Sequence, residues 1–213
     1  MLIAVDGLHS LVTPPVVEPL SVDEVRDHLR LTSTTEDGLL RWWIKAARQH
    51  VEEQTGRQLI TATWDYWLNG TPDGDIELPH PPLQSVVSIT YGEVGTSPEA
   101  TVDANSYQVI APQGDTCPRG RVSLLTGQSW PSVSVTAPNS LRIRYVAGYG
   151  STRQSVPELL RVALLLLVGH FHQHRSEVSD ASRGLTQLPF GAEAILRNFK
   201  YAALPTVPAR RTA

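Results

Sequence analysis

Between residues 33 and 59 the apolar side chains Leu39, Leu40, Trp43, Ile44, Ala47 and Val51 recur at three- and four-residue steps, while Arg41, Lys45, Arg48, Glu52 and Glu53 fall largely between them. That period predicts a long helix with one packed and one wet face. Ser33 is expected to cap it, Glu36 to reach back as the other half of a capping box, and Glu36 and Asp37 to complement the helix dipole. Gly56 stands where the period stops and suits a left-handed C-cap, after which Arg57, Gln58 and Leu59 lead into a strand. Just upstream, Ser21 and Glu24 form a second capping box, Leu20 and Val25 a hydrophobic staple, and a short helix is expected to about Leu31.

From residue 60 to residue 149 the period becomes alternating. Runs at 61–68, 75–78, 85–91, 106–111, 121–125 and 140–147 are rich in β-branched and aromatic residues and separated by Gly, Pro, Asp and Asn, which predicts six strands in an antiparallel sandwich or small barrel. The helical period returns at Pro157, expected as a first helical residue, and continues to about His174. Its stretch from Val162 to Gly169 is apolar on every side, so this helix is expected to be buried all round. Residues 176–188 read as a loop, and Pro189 opens another helix with Ala192, Ile195, Leu196 and Phe199 on one face.

The fold class is therefore α+β: a helical bundle formed by both ends of the chain, 20–58 and 152–202, with an antiparallel β domain, 59–151, inserted between. Pro14, Pro15 and Pro19 make residues 1–19 an extended arm, and Pro205 and Pro208 do the same for 203–213.

Composition narrows the function classes. The chain has 213 residues, a net charge of -3 and one cysteine. A weakly acidic protein does not coat nucleic acid through a broad basic surface. Cys117 alone makes neither an intrachain disulfide nor a cysteine-based zinc site. The start lacks a basic, then apolar, leader, and the apolar run at 162–168 falls well short of the roughly 20 residues that span a bilayer, so a soluble protein is expected.

The candidate chemistry is thin. His170 and His174 share a helix face, the spacing of metal-binding histidines, but no Glu stands between them as in HExxH and no third ligand is identifiable. A polar end to a buried helix explains them as well. Ser129, flanked by Gln128 and Trp130, lacks the glycines of a nucleophile elbow; 148–151 is neither a P-loop nor a dinucleotide fingerprint. Asp65, Asp73, Asp75 and Glu77 lack calcium-loop spacing and read as solvated turn acids. Trp42, Trp43, Trp64, Trp67 and Trp130 read as core or interface, although Trp42 and Trp43 cannot share one narrow stripe; one of them meets a flanking element or another subunit. No catalytic, cofactor-binding or metal-ligating residue is assigned.

The order of blocks is informative beyond the single motifs. The segments 21–31, 36–68, 75–91, 141–150, 156–175 and 188–199 resemble, in sequence and in order, the head-tail connector (adaptor, head completion) proteins of tailed bacteriophages and gene transfer agents. The resemblance implies a non-enzymatic structural adaptor in the virion, assembled in the host cytoplasm. It would dock as a homo-oligomeric ring, twelve copies in the family, on the portal protein, join it to a neck stopper or tail-completion protein, and let double-stranded DNA pass through its lumen. Carried over by position, it implies that Leu204, Pro205, Val207, Pro208, Arg210 and Arg211 contact the portal. The ring-forming helices would be those carrying Leu40, Trp42, Trp43, Ile44, Leu164 and Leu167. Arg175 matches the basic residue closing the third helix, whereas the histidine-rich 170–174 departs from the family pattern. Two other readings stand beside this one: a metal-dependent hydrolase using His170 and His174, and a glycan-binding β module.

Overall fold

The computed structural model describes residues 7–70, 74–92, 100–132, 139–174 and 189–200. Within them the elements run β1 (Leu8–Thr13), α1 (Val22–Leu29), α2 (Asp37–Thr55), β2 (Ala62–Leu68), β3 (Ile76–Glu77), β4 (Leu83–Tyr91), β5 (Ala100–Thr101), β6 (Tyr107–Ile110), β7 (Arg121–Leu124), β8 (Leu141–Ala147), α3 (Glu158–Gln173) and α4 (Phe190–Phe199). The fold is α+β. The expected loop at 176–188, Arg175, Asp73 and all six residues assigned to the portal-contacting arm lie outside the described residues.

Each half has its own core. Leu40, Ile44, Ala47 and Val51 of α2 pack with Leu160, Leu164 and Leu167 of α3, Val25 of α1, and Ala192, Leu196 and Phe199 of α4. The β half holds a five-stranded antiparallel sheet, β1-β2-β8-β4-β5, and a three-stranded one, β3-β7-β6. Both contribute to one cluster, in which Leu141, Ile143, Tyr145 and Ala147 of β8 alternate inward and meet Leu68, Ile89, Ile76 and Val122. The two sheets face each other as open layers, without a closed barrel among the described residues.

All six predicted strand runs carry strands, and two further strands appear. One is β1, from the N-terminal segment, which pairs with β2 in antiparallel register from Leu8 opposite Trp67 to Thr13 opposite Thr63. The other is the two-residue β5 at the far edge, against Thr90 and Tyr91.

The caps divide. At α1 the Ser21 hydroxyl accepts from Glu24 N at 3.1 Å, and Glu24 accepts from Ser21 N at 2.7 Å, so the capping box forms. Burial raises the Glu24 carboxyl's pKa, but the Ser21 donors and the charges of Arg161 and Arg153 outweigh it and hold the group below its usual range. Arg30, at φ 55, closes the helix earlier than Leu31. At α2 the expected box does not form. The Ser33 hydroxyl is taken by Thr35 N at 3.2 Å, the helix starts at Asp37 after an uncapped Glu36, and the Glu36 carboxylate lies 3.2 Å from His172 Nε2 on α3. A local serine–threonine turn competes with the cap, and a long-range partner takes the glutamate. The C-cap at Gly56 is as expected, with φ 67 and its N–H on the Glu52 carbonyl at 2.9 Å.

The third helix differs from expectation as well. Its apolar stripe is wider than its helical neighbours can cover, so Leu160, Ala163, Leu164, Leu167 and Val168 are buried while Leu159 and Val162 reach solvent.

Candidate functional site

The densest polar constellation lies at the seam between helices and sheets. The left-handed turn at Gly56 sends Arg57 and Gln58 into this seam. Arg57 is 2 % exposed; its Nε donates to the Phe199 carbonyl at 2.7 Å, at the C-terminus of α4, and its Nη1 faces Tyr149 Oη at 3.4 Å and Cys117 Sγ at 3.8 Å. Tyr149 in turn donates to the Asp115 carbonyl at 2.5 Å. Burial pushes the Tyr149 phenol up to about 12, with the Arg57 charge opposing the rise. Cys117 is thus a buried neighbour of a guanidinium, packed for structure.

A second chain of bonds runs through α2. Glu18 accepts from Arg48 Nε at 2.7 Å, and Arg48 Nη1 donates to Glu52 at 2.6 Å. Glu52 also accepts from Gln58 Nε2 at 2.7 Å and Leu59 N at 3.1 Å, and Gln58 accepts from Trp64 Nε1 at 3.1 Å. Burial works against the Arg48 charge, but the two carboxylates overcome it and hold the guanidinium more firmly protonated. Burial lifts the Glu52 carboxyl's pKa despite its donors. Trp64 continues the chain sideways: it stacks on His80 with ring centroids 4.1 Å apart, and His9 of β1 meets both rings edge-on. These bonds tie the helical and β halves together along the seam.

The histidine motif resolves into packing. His174 Nδ1 donates to the His170 carbonyl at 2.9 Å, and the two rings lie 4.3 Å apart. Burial, then the neighbouring His174, lowers the His170 pKa. His172 instead meets Glu36 and the Trp43 ring. Among the described residues no group of three or more His, Cys, Asp or Glu could hold a metal ion. The acidic set likewise separates. Asp65, expected as a solvated turn acid, is buried on β2, where Arg144, its partner across the β2–β8 ladder, grips both carboxylate oxygens at 2.7 and 2.8 Å. Asp75 faces Arg121 at 3.6 Å.

Of the six residues expected on ring-forming helices, Leu40, Ile44, Leu164 and Leu167 are core residues that support those helices from within. Trp43 is half-buried against the same core, and Trp42 stands 78 % exposed. Trp42 borders an open groove of about 780 Å³ that Val16, Leu20, Arg41 and Lys45 also line. Sequence reasoning missed Arg57, Glu18 and His80. The one available signal was the polar Arg57-Gln58 pair placed between a C-cap and the apolar Leu59-Ile60.

A family model described as head completion protein matches residues 18–195. No match was found among curated proteins. Among solved structures the chain is similar to a chain in the virion of a native gene transfer agent particle, with TM-score 0.76 and 24% identity over 94% of this chain and 98% of that one. It is also similar to chains in the neck of an empty particle computed with C6 symmetry (TM-score 0.76, 23% identity) and of a native particle computed with C12 symmetry (0.74, 23%), each covering 94% of this chain and 98% of the other. At these identities the likeness establishes the fold.

Proposed function

The chain belongs to the head completion protein family, and from that membership we propose that it is a structural adaptor of a phage-like virion, assembled in the host cytoplasm and acting through assembly with no catalytic step. It docks as a ring on the portal protein, joins the capsid to a stopper or tail-completion protein in the neck, and extends the channel through which double-stranded DNA passes. The observation carrying this reading is the family match over most of the chain, joined to a fold shared along its length with gene transfer agent neck proteins. The similar neck chains were computed with C6 and C12 symmetry, which supports a ring of this chain, twelve copies being the expected number.

In this reading residues 204–213 form the portal-contacting arm. Pro205 and Pro208 keep it extended, Leu204 and Val207 supply apolar contact, and Arg210 and Arg211 meet portal carboxylates. Many weak arms acting together around a ring give strong attachment. The weakly acidic chain suits a channel past which DNA must slide, since each added phosphate contact raises affinity. Nothing in the described residues favours the metal-dependent hydrolase or the glycan-binding module.

The test is native mass spectrometry of the full chain mixed with the portal ring of the same particle. Several copies on one portal ring are expected, and removal of 204–213 is expected to leave a folded protein that no longer loads. Free portal beside free monomer under assembly conditions would count against the adaptor role, and undiminished loading of the truncated chain against the arm.

A further inference from the structure

A closed ring built from one kind of subunit needs two different, mutually complementary patches per copy, on faces that point away from each other. The structure holds such a pair. On α2, Leu40 and Ile44 face the core, so Trp42, between them in sequence, points outward beside the groove lined by Val16, Arg41 and Lys45. On α3, Leu160 and Leu164 face the same core, and Leu159 and Val162 point away from it, 55 % and 43 % exposed. Because α2 and α3 pack core to core, these two outer faces lie on opposite sides of the bundle. The α3 patch is extended at the start of α4 by Phe190, 80 % exposed, whose neighbour Gly191 lies against Leu166.

The exposed charges next to the two anchors differ in sign, basic beside Trp42 and acidic beside Leu159. Arg41 and Lys45 flank Trp42, and both are exposed. Glu158, its side chain 83% exposed, flanks Leu159 and lies 3.4 Å from Arg161, which is largely buried and also pairs with Glu24; Glu193 follows Phe190 by one helical turn, 3.9 Å from Arg197. Neighbouring exposed apolar side chains mark an interaction surface, and tryptophan is enriched at the energetic centre of such surfaces.

We infer that the α3–α4 ridge of one copy, Leu159, Val162 and Phe190, seats against Trp42 and its groove on the next copy, with Lys45 and Arg41 facing Glu158 across the contact. The inference rests on the adaptor reading and adds to it the subunit interface and its direction around the ring. Trp42 is the anchor, filling space between the neighbour's Leu159 and Val162 one turn apart. The charged rim fixes the direction, since two copies meeting like patch to like patch would oppose charges of the same sign.

The test uses the full-length chain and the portal ring of the same particle. In a W42C/V162C double variant, oxidation of portal-bound protein is expected to give a ladder of covalently joined copies, because the two positions face opposite ways on one subunit and meet only between copies. Trp42→Ala is expected to weaken loading about tenfold or more. Lys45→Glu is expected to reduce loading, and adding Glu158→Lys to restore it. Thermal melts unchanged from wild type confirm that these surface variants fold. Portal-loaded W42C/V162C protein that yields no ladder, or wild-type loading of the Trp42→Ala variant, overturns the interface and leaves the adaptor role standing. A wild-type chain that never loads overturns the adaptor role and this inference together.

Discussion

Arg57 Nε donates to the Phe199 carbonyl at 2.7 Å, tying the turn after α2 to the last turn of α4 across 142 positions of sequence. A guanidinium at a helix C-terminus satisfies carbonyls that have no partner within the helix. The same group reaches Tyr149 and Cys117 of the β half, so one side chain spans three segments.

Arg57→Ala is therefore expected to cost about 2–4 kcal/mol in urea unfolding, since it leaves buried acceptors unpaired. Arg57→Lys keeps the charge but not the fork, and should recover less than half of that. Hydrogen exchange is expected to localise the damage to the end of α4. A loss below roughly 1 kcal/mol for the alanine variant would mean the seam does not depend on this residue.

Two serines give a matched comparison. Ser21 caps α1 in a complete box, so Ser21→Ala is expected to cost about 1 kcal/mol. Ser33 bonds only within its own turn, so Ser33→Ala should stay within about 0.5 kcal/mol. Equal losses in thermal melts would contradict the observed start of α2. The depressed Glu24 pKa adds a pH signature: its stabilisation is present above the unfolded value near 4.5 and is lost as the pH falls through the lower folded value.

Acid should also loosen the grip of β1. His80 is buried against Trp64, and burial, with the nearby charges of His9 and Arg119, lowers its pKa from 6.5 to about 4. Between those two values the unfolded chain binds a proton that the folded chain refuses, so stability falls as pH falls from 6.5 to 4, by up to about 3 kcal/mol. Urea unfolding at stepped pH measures the slope. His80→Phe removes the titration and should flatten it; an unchanged slope would assign the effect to other groups.

Gly148 sits at φ 125, and a Cβ there would fall 2.7 Å from Ile60 C and Thr61 N, backbone atoms that cannot step aside. Gly148→Ala is expected to cost about 2–4 kcal/mol through strained backbone and overlap together, read by denaturant melts. A near-neutral result would require the crossing strands to separate.

Much of this architecture was legible in residue order because its signals are local. Periodicity placed all four helices and six strands, and the Ser21–Glu24 box and the Gly56 cap needed only neighbours within a turn. What escaped depended on distant partners. Ser33 and Glu36 have the right spacing for a box, yet Thr35 and His172 claim them. Asp65 looked like a turn acid until Arg144 lay opposite it in the sheet. Residues 8–13 carry no strong strand period and become β1 because β2 offers an open edge. Trp42 and Trp43 were seen to need different surroundings, but only the packed helices assign Trp43 to the core and Trp42 to the outside.

The seam has a mechanical consequence. The chain enters the β half at Leu59 and leaves it at Tyr149 side by side, joined by Tyr149 N to Leu59 O at 3.2 Å and Thr61 N to Gly150 O at 2.9 Å. Two adjacent crossings alone would act as a hinge, free to fold about their common line. The third crossing, from β1 into α1, is pinned by Glu18 to Arg48 of α2, so three connections rather than two join the halves. Three tethers resist a relative rotation of the halves that two adjacent ones would leave free, so a push on the sheets is carried over to the helices.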